Sequence, residues 1–102
     1  MKIIGQYNEL APDKGFPSML DSMAKTPYAS KEIILSYLRN GKVHMVTAAK
    51  VVDDLKKTRT KIDLIFMNDG TYEWSSAIIY YVDKYNLQLP DEFVNYILKN
   101  SK

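Results

Sequence analysis

Lys61-Ile62-Asp63-Leu64-Ile65-Phe66-Met67-Asn68-Asp69-Gly70-Thr71-Tyr72-Glu73-Trp74 is the stretch whose reading decides the fold. Ile62, Leu64 and Phe66 alternate with the period of a strand. Asn68-Asp69-Gly70 then supplies what a tight turn with positive φ requires, since Asn and Asp can bond their own backbone and Gly has no Cβ to clash. Thr71-Tyr72-Glu73-Trp74 reads as the return strand, so the stretch predicts an antiparallel hairpin.

Helical periods flank that hairpin. Ser75 can cap a helix whose Ile78, Tyr81, Val82 and Tyr85 form one stripe, with Tyr80, Asp83 and Lys84 facing outward and Asn86 ending it. Pro90 suits a first helical position, Asp91 and Glu92 suit the positive end of the helix dipole, and Phe93, Val94, Ile97 and Leu98 give a buried face. Upstream, Ser30 can cap a helix over about 30–40, carrying Ile33, Ile34, Tyr37 and Leu38 and stopped by Asn40-Gly41. Ser18 and Asp21 have capping-box spacing before Met19, Leu20, Met23 and Ala24, which predicts a short helix stopped by Pro27. The first ten residues can supply a short strand around Ile3 and Ile4, followed by a turn at Ala11-Pro12-Asp13-Lys14-Gly15. Val43 to Val46 reads as strand. Ala48, Val51, Val52 and Leu55 fit a helical stripe as well, so residues 47–57 stay open between helix and strand. The expected fold is α+β, a small antiparallel sheet packed with about four helices as a single layer pair.

Composition bounds the classes available. The chain has 102 residues, 46% hydrophobic and 25% charged, with four Gly and four Pro, which predicts one globular domain over residues 1–102. No linker, repeat or low-complexity tract divides it. No apolar run approaches the ~18 residues of a membrane span. The start, MKIIGQYNEL, lacks a signal-peptide core, and there are no cysteines, which excludes disulfides and thiolate chemistry and suits a cytoplasmic protein.

Little in the chain suggests catalysis. His44 is the only histidine and has no second histidine or cysteine to share a metal; the outward position of an alternating strand explains it. Asp53-Asp54, Asp63 and Asp69 lack calcium-loop spacing and read as solvated faces or turns. Ser75-Ser76 has no nucleophile elbow and reads as helix capping. No glycine-rich phosphate loop is present. The expectation is therefore a chain that is not an enzyme and holds no cofactor or metal.

Charge is divided along the sequence. The net charge is +2, yet residues 63–93 contain six acidic side chains and one basic. Lys56-Lys57-Thr58-Arg59-Thr60-Lys61 is the one basic cluster and reads as a solvated loop, with phosphate contact as the alternative. The acidic segment also carries aromatics. Rings supply buried anchors and acids supply steering, so Asp69, Tyr72, Glu73, Tyr80, Asp83, Asp91 and Glu92 are the expected contacts for a basic partner protein.

The C-terminal third also resembles a known group. Asp69-Gly70-x-Tyr72-x-Trp74, Tyr80-Tyr81-Val82-x-Lys84-Tyr85 and Leu89-Pro90-x-x-Phe93 are similar to motifs of small bacterial immunity proteins of polymorphic toxin and contact-dependent growth-inhibition systems. The likeness covers about residues 68–98 and, loosely, Ser30 to Gly41. It implies a cytoplasmic monomer or weak dimer that binds a cognate toxin domain, a basic nuclease in the expected case, and occludes its active site or substrate groove. It implies no catalysis, no direct contact with nucleic acid and no membrane. The alternative is a small nucleic-acid-binding accessory protein using the basic loop 56–61.

Overall fold

A computed structural model describes residues 2–8, 10 and 13–100; Ala11 and Pro12 of the expected turn lie outside the described residues. The chain forms β1 (Lys2–Ile3), a four-residue 3-10 turn (Met19–Ser22), α1 (Lys31–Arg39), β2 (Lys42–Asp53), β3 (Thr58–Asn68), β4 (Tyr72–Ser75), α2 (Ser76–Tyr85) and α3 (Asp91–Asn100). The four strands make one sheet in the order β1-β4-β3-β2.

The deciding stretch folds as a hairpin. Phe66, Met67 and Asn68 pair with Ser75, Trp74 and Glu73. Gly70 has φ of 93°, and the Asn68 side chain accepts from its amide at 3.0 Å. One Asp69 carboxylate oxygen accepts the amides of Thr71 and Tyr72 at 2.8 and 2.7 Å, closing the turn. Tyr72 and Trp74 are thereby buried with Met67 against Ile34, Leu35 and Leu38 of α1, Tyr81 and Val82 of α2, and Phe93 and Ile97 of α3. The Trp74 indole donates to the Leu38 carbonyl at 3.1 Å. A Cβ on Gly41 would lie 2.5 Å from that indole, so the residue that follows the end of α1 must be glycine for packing.

Two features of the expected fold need correction. The sheet is mixed, because β1 runs parallel to β4, with Lys2 opposite Tyr72 and Ile3 opposite Glu73. The chain enters the sheet edge in the direction of β4, which local periodicity over two residues cannot reveal. There are also three α-helices among the described residues, not about four. The segment after Ser18 makes only a 3-10 turn, because Met23 pairs with Leu87 while Ala24 and Ser22 bond Asn86 and Gln88. Pairing with the chain beyond α2 wins over a weak local stripe. Ser30 and Ser75 occupy helix N-cap positions, but neither side chain makes the capping bond.

The open region resolves as strand. β2 continues through Asp53, and residues 54–57 form the turn into β3. Two irregularities in its register coincide with threonines. The Thr47 hydroxyl donates to the Leu64 carbonyl at 2.7 Å and accepts the Ala49 amide at 3.1 Å. The Thr60 hydroxyl donates to the Val51 carbonyl at 2.8 Å and accepts the Ile62 amide at 3.2 Å. Each threonine thus satisfies two backbone groups that the bulge takes out of the ladder. Of the alternating Ile62, Leu64 and Phe66, Ile62 is exposed and the other two are half-buried, and Met67 is the buried residue of β3.

α1 and α2 are tied by a buried lysine. The Lys31 ammonium donates to the Asp83 carbonyl at 2.9 Å and to the Asn86 side chain at 2.7 Å, where Asn86 ends α2 in left-handed conformation (φ 56°). No helix among the described residues is long and apolar enough to cross a membrane.

Gly70 provides a clean test of the hairpin. A Cβ there meets no atom within 4 Å, so substitution costs backbone strain alone. Gly70→Val should lose about 1–3 kcal/mol in urea unfolding. Gly70→Asn should lose less, since Asn tolerates positive φ. Equal stability of all three proteins would contradict the turn geometry.

Candidate partner-binding surface

The seven residues expected to meet a partner are mostly engaged within the chain. Asp69 accepts the Tyr37 hydroxyl at 2.5 Å in addition to its turn amides. Burial pushes its carboxyl up, but the Tyr37 hydroxyl and the two amides outweigh this and hold it below the ordinary carboxylate value. Tyr72 is buried, with ring centroids 4.6 Å from Phe93 and 4.9 Å from Tyr96, and its hydroxyl points to Glu92 at 3.4 Å. Glu92 also meets Lys2 at 2.6 Å. Glu73 lies 3.5 Å from His44, and Asp83 lies 3.8 Å from Arg39. Asp91 alone of the seven is exposed without a side-chain partner among the described residues. The structure brings Tyr72 and Glu92 together and distributes the rest among separate partners.

Tyr80 leads to an arrangement that the sequence did not signal. Asp53 is completely buried at the end of β2. One of its oxygens accepts the hydroxyls of Tyr80 and Tyr85 at 2.8 and 2.6 Å. The other accepts the amides of Leu55 and Lys56 at 3.0 and 2.9 Å. Beside it, the Tyr81 hydroxyl donates to the Val52 carbonyl at 3.0 Å and accepts the Asp54 amide at 2.9 Å. Three tyrosines of α2 therefore hold the hairpin turn. Burial pushes the Asp53 carboxyl up, yet the Tyr85 and Tyr80 hydroxyls and the two amides prevail, leaving it below its ordinary value. Burial raises the Tyr85 hydroxyl well above its usual range and pushes Tyr81 up to about 12. Spacing alone reads Asp53 as a solvated acid, and its burial follows from the tertiary approach of Tyr80, Tyr81 and Tyr85 on α2.

The other residues considered for chemistry have structural roles. The Ser76 hydroxyl is buried, donating to the Asp63 carbonyl at 2.7 Å and accepting the Ile65 amide at 3.0 Å, so it stitches α2 to β3. His44 sits between Asn68, at 2.6 Å, and Glu73. No group of three or more acidic or histidine side chains among the described residues has the geometry to hold a metal.

What remains open to a partner is the β2–β3 hairpin. Of the eight exposed large apolar side chains among the described residues, Val43, Met45, Val46, Val52 and Ile62 lie on it, with Val46 the most exposed at 71%. Lys50 pairs with Asp63 across the strands. Lys42, Lys56, Lys57, Arg59 and Lys61 have no acidic partner among the described residues, and no strand pairs with the outer edge of β2 there. Next to the hairpin lies an apolar cavity of about 410 Å³, lined by Ile4, Phe16, Val51, Leu64, Phe66 and Ile78, with Lys50 and Glu73 also contributing.

The Asp53 cluster sets a pH dependence. A carboxyl held below its unfolded-state value contributes stability that is fully present above the unfolded pKa, about 3.9, and is lost as pH falls through the folded value. Asp53→Asn should lower stability by about 3 kcal/mol at neutral pH, because an amide cannot accept from all four donors. That deficit should shrink below about pH 4, where the native carboxylate protonates too. Urea unfolding at neutral and acid pH measures both; a deficit independent of pH would contradict the assignment. Comparison with known protein families, curated proteins and solved structures gives no match for the chain.

Proposed function

We propose that this chain is a non-catalytic binding protein which attaches to one cognate toxin domain in the cytoplasm and neutralises it by covering its working surface. The observation that carries the binding role is the concentration of exposed apolar side chains on a single hairpin. Surfaces usually scatter such residues singly, and five on one two-stranded ribbon support an interaction site there. The toxin as partner comes from the resemblance of residues 68–98 to immunity proteins.

The sign of the partner is a separate question. A basic nuclease is the partner that the acidic segment favours. Five of the six carboxylates between Asp63 and Glu92 nevertheless meet a lysine, arginine, histidine or tyrosine of this chain, which takes away much of the steering field they would supply. The basic hairpin keeps its field. That same observation keeps a second reading in view, in which Lys56, Lys57, Arg59 and Lys61 contact phosphates.

Two experiments decide. Co-expression with the toxin encoded beside this chain should restore growth, and the purified pair should form a stable complex; lethality with every neighbouring toxin would contradict the proposal. Mobility-shift titration with duplex and single-stranded DNA at low salt should show no complex. A complex that weakens steeply as salt rises would favour the accessory reading instead.

A further inference from the structure

We infer that the outer side of the β2–β3 hairpin, from Lys42 to Ile62, is the contact surface, and that it receives an acidic, apolar segment of the partner protein. This rests on the reading that the chain acts by binding a protein, and adds where and with what chemistry. Three independent observations converge on the same strands.

The first is exposure. Val43, Met45, Val46, Val52 and Ile62 expose apolar surface that no element of the described chain covers. Val43 and Val46 stand opposite Met67 and Ile65 on one face of the ribbon and Met45 opposite Phe66 on the other, so the surface wraps the free edge of β2. Covering them is the hydrophobic gain of association.

The second is charge. Lys42 at one end of those side chains and Lys56, Lys57, Arg59 and Lys61 at the other have no acidic partner among the described residues, whereas Asp53 is buried beneath four hydrogen bonds, Asp54 meets the Tyr81 hydroxyl and Asp63 is taken up by Lys50. The field over the hairpin is therefore positive, and the complementary surface is acidic. A second copy of this chain presents the same sign there and is disfavoured.

The third is side-chain type. The exposed apolar residues of the hairpin are aliphatic or methionine, and none is aromatic. Single-stranded nucleic acid is held by aromatic stacking along a basic groove, and none of these exposed side chains is a ring; Phe66, opposite Met45, is half-buried in the adjoining cavity. Aliphatic side chains and methionine suit the apolar side chains of a protein segment. The cavity beside Leu64 and Phe66 gives one bulky side chain of that segment a place to anchor.

The test uses the intact isotope-labelled protein in NMR titrations. The probe is a synthetic dodecapeptide in which glutamate alternates with valine and leucine. Controls are the same peptide with lysine for glutamate and a single-stranded DNA oligonucleotide. The glutamate peptide should shift amides of residues 42–52 and 58–66 and leave α3 unmoved, and the lysine peptide should shift neither. Val46→Asp should weaken the glutamate peptide by about tenfold or more, since it places a like charge at the centre of the patch. Lys42→Glu, at an exposed strand end, is the second variant and should weaken it as well. Absence of shifts, shifts confined to residues 69–92, an equal response to the lysine peptide, or stronger binding of the oligonucleotide to the same amides would overturn the inference. The toxin reading fails separately, by loss of protection in cells while the glutamate peptide still binds the hairpin.

Discussion

The buried carboxylate of Asp53 is the contact on which the shape of the molecule turns. β4 pairs with only Phe66, Met67 and Asn68, so most of the long β2–β3 hairpin extends past its sheet neighbour. A two-stranded ribbon is marginal by itself in water. This one is supported because α2 follows β4 directly and Ser76, Tyr80, Tyr81 and Tyr85 bond it from Ile65 to Asp54. A charge taken wholly out of water costs several kcal/mol unless its lone pairs are filled. Two tyrosine hydroxyls and two amides fill those of Asp53, which converts a liability into a specific lock between turn and helix.

A supported ribbon can afford an exposed flank. Long, flat, apolar edges invite uncontrolled pairing, and proteins blunt them with lysines and bulges. β2 has both. Lys42 and Lys50 stand along it, and register irregularities interrupt it around Thr47 and Thr60. Because the bulges break the row of free backbone groups, recognition at this flank falls to side chains, where aliphatic contact gives affinity and the lysines select the partner's sign. The lock at Asp53 and the surface from Lys42 to Ile62 thus belong to one design, with α2 as the splint and the hairpin as the presented face.

Much of this was legible in the sequence, and the misses have physical causes. The hairpin around Gly70 and the helices carrying Leu38, Tyr81 and Phe93 follow from turn chemistry and a strong 3.6-residue period. The parallel pairing of Lys2 and Ile3 with β4 was not legible, because two residues carry no period and the partner lies about seventy positions away. Val51 and Leu55 mimic a helical stripe because the register irregularities of β2 disturb the strict alternation of a strand and Leu55 falls in the turn beyond it. Composition showed the acidic segment 63–93 correctly. It was blind to pairing, and Glu73 with His44, Asp83 with Arg39 and Glu92 with Lys2 are spent inside the fold. A surface is decided by which charges remain unpaired, which sequence counts cannot supply.

The central claim is that one carboxylate holds the distal hairpin in place on α2. Amide hydrogen exchange on Asp53→Asn, resolved by residue, tests it most directly. The account predicts that residues 48–62 lose protection while the Met67–Trp74 pairing and the helices α1 and α3 keep theirs, a local opening of the ribbon. Unchanged protection at Val51, Leu55 and Lys56, or a uniform loss across all strands and helices, would contradict it.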